Sequence, residues 1–104
     1  MNGASDVLVQ TFKNEHRPRI VKYLLEKAAN PHEGAYISEV AEKLKISKGS
    51  AFVNLSELEE AGVLLHKWEL KKGKGTPKAV KVYTVNPKLD KNVKDTIEKL
   101  VKAP

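Results

Sequence analysis

The stretch Ile37–Leu64, ISEVAEKLKISKGSAFVNLSELEEAGVL, decides how this chain folds. Ile37, Val40, Ala41 and Leu44 fall at i, i+3, i+4 and i+7, so they share one face of a helix. Ser38 can cap the start of that helix, and Glu39 and Glu42 sit near the positive end of its dipole. Ile46 is a lone apolar residue in a tight turn. Ser47 is a natural N-cap for a second helix, which buries Ala51, Leu55 and Leu58. Gly62, after Ala61, stands where a helix ends and the backbone turns left-handed. The stretch therefore predicts two short helices joined by a turn, a glycine stop and the start of a strand.

On its C-terminal side, Val63–Leu70 and Val80–Val85 read as two strands. Leu64, His66, Trp68 and Leu70 alternate with Val63, Leu65, Lys67 and Glu69, and Lys81, Tyr83 and Val85 with Val80 and Val82. Between the strands lies KKGKGTPK (residues 71–78), with four lysines, two glycines, a proline and no acidic residue. A hairpin with a long basic tip, directly after a helix-turn-helix, is the layout of a winged helix. The chain resembles small, archaeal-like winged-helix regulators of the ArsR/MarR type. FKNEHRPRIVKYLL (Phe12–Leu25) is similar to the arginine-containing first helix of ArsR-like proteins. SEVAEKLKISKGSAFVNLSELEEAGVL is similar to their helix-turn-helix, and GKGTPKAVKVYTV to their wing and return strand. The resemblance covers roughly residues 12–86. It implies a mainly helical α+β fold, a winged helix-turn-helix with a two- to three-stranded wing sheet. It also implies terminal helices that pair two copies, and a second helix that enters the DNA major groove.

A chain of 104 residues is one domain's worth, with a core that dimerisation would enlarge. The expected organisation is a single domain over residues 1–104. Its parts are N-terminal helices (1–30), the helix-turn-helix (37–61), the wing hairpin (63–86) and a C-terminal helix (88–102). Val7, Leu8, Thr11 and Phe12 can form one face of a short first helix. Pro18 suits the first turn of the next, Pro18–Ala29, which points Ile20, Val21, Leu24 and Leu25 at the core. Asn30–Gly34 is a turn, and Tyr36 opens a short third strand. Asn86-Pro87 ends the sheet. In the last helix Leu89, Val93, Ile97, Leu100 and Val101 form a stripe with the spacing of a helix-pairing seam. The expected dimer interface is Val7, Leu8, Phe12, Leu89, Val93, Ile97, Leu100 and Val101. The alternative is that the last helix folds back on its own domain.

The chain contains no cysteine, which removes disulfides, thiolate chemistry and cysteine metal sites. His16, His32 and His66 are scattered, and no metal-ligand spacing, phosphate-binding glycine loop or catalytic triad stands out. No enzyme activity, metal, cofactor or small-molecule effector is expected. No apolar run is long enough to span a membrane, and MNGASDVLVQTFKNE lacks the basic start of a secretory signal. A cytoplasmic, nucleoid-associated protein is expected. Lysine and glutamate are abundant beside one glutamine and one methionine, a composition common in thermophile proteins.

The net charge of +6 is unevenly placed. Residues 1–66 hold 8 basic and 9 acidic side chains, whereas residues 67–104 hold 11 basic and 4 acidic. The excess falls on the wing and the residues after it, and such a segment attracts phosphate through counterion release. The candidate DNA-contacting residues are therefore of two kinds. Ser47, Lys48, Gly49, Ser50, Phe52, Val53 and Ser56 lie on the outer side of the second helix. Lys67, Lys71, Lys72, Lys74, Thr76, Lys78 and Lys81 lie on the wing. Lys48 can reach guanine or phosphate, Ser50 a phosphate or base edge, and Gly49 permits close approach.

Phe52 and Val53 depart from the polar residues common in the resembling family. They can press on thymine methyls, they can mark weak sequence preference, or the helix phase can differ and leave Phe52 partly buried. Arg17 and Arg19 are candidates for phosphate contact or for a surface role. Glu57, Glu59 and Glu60 repel phosphate, so that end of the helix should point away from a duplex. Three readings follow: a homodimeric, sequence-specific regulator of double-stranded DNA, a low-specificity coating or partition protein, or a winged helix used for protein assembly.

Overall fold

Asn14 opens the first long helix: its Oδ1 accepts hydrogen bonds from the backbone N–H groups of His16 and Arg17. That cap starts the helix at His16, two residues before Pro18, whose missing N–H is harmless in a first turn. The computed structural model describes residues 4–27, 34–71 and 75–102. In chain order the elements are α1 (Ala4–Thr11), α2 (His16–Lys27), α3 (Ile37–Leu44), α4 (Lys48–Glu60), β1 (Leu64–Lys71), β2 (Lys78–Val85) and α5 (Lys91–Lys102). The architecture is α+β and mainly helical. The end of the expected second helix at Ala29 and most of the turn after it, with His32, lie outside the described residues, as do Lys72 and Lys74.

The core is the set of faces the spacing predicts. Ile20, Val21 and Leu24 of α2 meet Val40 and Ala41 of α3, and Ala51, Leu55 and Leu58 of α4. Val63, Leu64 and Tyr83 close it from the sheet side. Each fully buried leucine contributes about 1.5–3 kcal/mol. The first helix of the pair is not capped by Ser38. Ala35 exchanges two backbone hydrogen bonds with Tyr83, so the chain leaves the sheet and turns at Tyr36, whose side chain makes no capping bond. This bridge is all that forms of the expected third strand among the described residues: the sheet has two strands. Gly34 makes the close approach possible. A Cβ there would lie 2.5 Å from Val82 Cγ1 and 2.7 Å from the Tyr83 carbonyl oxygen.

The last helix begins at Lys91 rather than Lys88. Asn86 holds the preceding turn, donating to the Gly62 carbonyl and accepting from the Lys88 N–H. Asp90 then caps α5 by accepting from Asn92 and Val93. α5 packs against α1 and α2 of its own chain. Within the single chain the expected interface residues divide by exposure. Val7, Val93, Ile97 and Val101 are buried within one chain, and Leu8, Phe12 and Leu89 pack partly buried against the core. Of the eight expected interface residues Leu100 is exposed, and Val9 on α1 joins it. The stripe closes the monomer's core because three helices and a hairpin leave one side of α2 bare.

Candidate nucleic-acid interface

The turn between α3 and α4 is set by Lys45, which adopts a left-handed conformation with φ 57°. Its N–H and that of Ile46 return to carbonyls in the last turn of α3, and Ile46 docks on the core. Ser47 then caps α4, its Oγ accepting from the Ser50 N–H at 3.0 Å. Lys48 and Gly49 are exposed, and Ser50 and Ser56 are half-buried. Phe52 and Val53 are 49% and 50% exposed, so the helix phase is as expected and both face outward. Gly62 ends the segment with φ 89°.

The underside of α4 carries a buried polar network that spacing does not reveal. Arg17 is 2% exposed, so it is neither a phosphate ligand nor a surface residue. Its Nε donates to Asn54 Oδ1 at 3.0 Å, and its Nη1 to the carbonyl and side-chain oxygens of Gln10. Its Nη2 pairs with Glu57. Asn14 Nδ2 also donates to Asn54 Oδ1, and Asn54 Nδ2 donates to the Ser50 carbonyl. Burial pulls the guanidinium below the usual arginine range. A single charged side chain from α2 thus ties α1 to the middle of α4. The signal was present in Asn14, one of the strongest N-cap residue types, ahead of Pro18.

The acidic half of α4 is partly neutralised. Glu57 belongs to Arg17, and Glu59 bonds His66 Nδ1 on β1. At the other end of the helix pair, Arg19 donates to the Leu44 carbonyl at 3.0 Å. Glu39 receives hydrogen bonds from Lys27 and Tyr23. Burial alone would raise its carboxyl, but those donors outweigh it and hold it below the usual carboxylate value.

The wing strands pair antiparallel, Leu64 opposite Val85 through Lys71 opposite Lys78. Lys67, Lys71, Thr76 and Lys78 are exposed. Lys81 is half-buried, its Nζ 5.7 Å from the Trp68 ring centre and 6.0 Å from that of Tyr83. Lys71 lies over Tyr36 at 5.3 Å, and Lys67 pairs with Glu69 at 3.3 Å. The helix candidates and the wing candidates stand on separate elements, joined by the packing of α4 on β1. Among the described residues no group of His, Asp or Glu could hold a metal ion, and no helix is long and apolar enough to cross a membrane.

No family model and no curated protein matches the sequence. Solved structures do. Reduced HlyU from Vibrio cholerae superposes with a TM-score of 0.64 at 21% identity, over 97% of this chain and 90% of that one. A second HlyU structure gives 0.63 at 24% identity, over 93% and 87%. The third is the homodimeric winged helix-turn-helix DNA-binding domain of Mb0332 from Mycobacterium bovis, described as a possible ArsR-family transcriptional regulator. It gives 0.61 at 13% identity, over 93% of this chain and 74% of that one. The fold is a winged helix-turn-helix. α3 and α4 are its helix pair, α4 stands in the recognition position, and β1 and β2 form its wing.

Proposed function

We propose that this winged helix is a double-stranded DNA-binding transcription regulator that acts as a homodimer. The observation that carries the reading is the outer face of α4. It presents Lys48, Gly49, Ser50, Phe52, Val53 and Ser56 to solvent, while Arg17 and Asn54 hold the helix rigid from beneath. Lys48 and Ser50 contact base edges or phosphates from the first turn, and Phe52 and Val53 meet thymine methyls in the major groove. The wing lysines, with Lys72 and Lys74 beside them in sequence, neutralise backbone phosphate. Nothing in this role requires catalysis, a cofactor or a metal. A protein of this kind works in the cytoplasm, on the nucleoid.

The homodimeric state of the Mb0332 domain supports pairing here. The exposed apolar residues Val9 and Leu100, on helices that pack together, are the proposed contact, with Leu8, Phe12 and Leu89 at its edge. Leu100→Lys should halve the mass in sedimentation without unfolding the chain, and an unchanged mass removes this interface. The regulator reading is tested by selecting duplexes from a random pool. An enriched palindrome, with half-sites about one helical turn apart, identifies a site-specific regulator. Tight binding without enrichment favours DNA coating, a reading that the apolar outer face of α4 also suits. Absence of binding leaves protein assembly.

A further inference from the structure

The wing carries an apolar strip that neither the core nor a lysine-based contact explains. Leu64, His66, Trp68 and Leu70 share one face of the hairpin with Val85, Tyr83, Lys81 and Ala79. At its base this face is core: Leu64 and Tyr83 are fully buried. Further along it runs past the body of the protein without becoming polar. Trp68 is 61% exposed and Leu70 71% exposed. A sheet face that meets only water ordinarily turns polar, so a large exposed apolar strip signals a contact.

The surroundings say what kind. Lys81 shares the strip's face, while Lys67, Lys71 and Lys78 project from the opposite face of the same two-stranded ribbon. The acidic neighbours are already paired, Glu59 with His66 and Glu69 with Lys67. Lys81 lies over the Trp68 ring, with the His66 ring edge-on at 5.9 Å, which holds the indole in place. A groove whose sugar walls lie between two phosphate strands matches a ribbon that is apolar on one face and basic on the other. An apolar protein surface laid on this face would instead strip water from the Lys81 ammonium group.

We propose that Trp68 and Leu70 seat against the sugar wall of a groove in duplex DNA while Lys81 and the lysines of the opposite face hold the flanking phosphates. The wing then contributes a buried apolar contact as well as charge. This rests on the DNA-binding reading given above. Trp68 is the only tryptophan, so its emission reports on this strip alone.

The test titrates the full chain with a labelled duplex of mixed sequence, following label anisotropy, Trp68 emission and acrylamide quenching together. Trp68 emission should shift, and quenching should fall, over the same DNA concentrations that raise the anisotropy. Leu70→Ser should weaken duplex binding about tenfold with the salt slope unchanged, because the lost contact is apolar. Rising anisotropy with unaltered Trp68 signals places the duplex elsewhere and overturns the inference, while the regulator reading stands. If neither signal moves, the DNA-binding reading fails and takes the inference with it. A strip already shielded without DNA, in a dimer that Leu70→Ser dissolves, gives the strip to a second copy and overturns the assignment to DNA.

Discussion

Helix α4 and the wing are built on opposite principles. α4 is fixed from below by a side chain of α2 that also holds α1, and its outer face is left free. The distal wing is held chiefly by its own strand pairing, and it carries exposed lysines. Reading a sequence demands placement to a fraction of an ångström, whereas attracting phosphate demands only density of charge. On the proposed function, the molecule places its rigidity accordingly.

The sharpest way to break this contrast is to remove the brace. Arg17→Met should cost roughly 3 kcal/mol in urea unfolding, since Gln10, Asn54 and Glu57 each lose the donor that Arg17 supplies. The figure sits low in the range for buried pairs because the Glu57 side chain is 45% exposed and regains hydration. A loss below about 1 kcal/mol would mean that the network does not hold α4. The next test separates reading from attraction. Lys48→Ala with Ser50→Ala should reduce the preference for a selected over a random duplex by about 10- to 100-fold. Lys71→Ala with Lys78→Ala should weaken both duplexes alike and lower the salt slope by about two. If both pairs lose equally on both duplexes, the division of labour is wrong.

A smaller effect belongs to the helix pair. The Glu39 carboxyl titrates lower in the folded chain than its ordinary value of 4.5. Its contribution is therefore complete above 4.5 and is lost as the pH falls through the lower folded value. Glu39→Gln should cost on the order of 1 kcal/mol at neutral pH, and the gap from wild type should close in acid. A gap that stays constant with pH would assign the loss to packing instead. The smallest effect is predicted on the wing. Lys67→Ala, which removes an exposed ion pair, should change stability by less than about 0.5 kcal/mol in thermal melts.

The helix pair was legible because its signals are local. The spacing of Ile37, Val40, Ala41 and Leu44, the cap at Ser47 and the glycine at 62 each act within a few residues. The pairing of the wing was legible from alternation. The brace was not, because Arg17 and Asn54 stand 37 positions apart and only packing brings them together. Ser38 lost its place as a cap to a bridge between Ala35 and Tyr83, and the start of α5 moved to Asp90 because Asn86 first secures a turn. The terminal apolar stripe was visible, but whether it faces its own chain or another is decided by which sides of α2 remain bare. Alternation likewise gave Trp68 and Leu70 a face, but not the point at which that face leaves the core.

Gly34 sets a limit on how this sequence can vary. Every other coded amino acid adds the carbon that would strike Val82, the Tyr83 carbonyl and Thr84 within 2.8 Å. Two of those three contacts are side chains that a compensating change could shrink, but the third is backbone and cannot be substituted away. The position therefore behaves as an evolutionary lock. A lineage that replaces this glycine must abandon the Ala35–Tyr83 bridge, and with it the present way of attaching the wing to the helix pair.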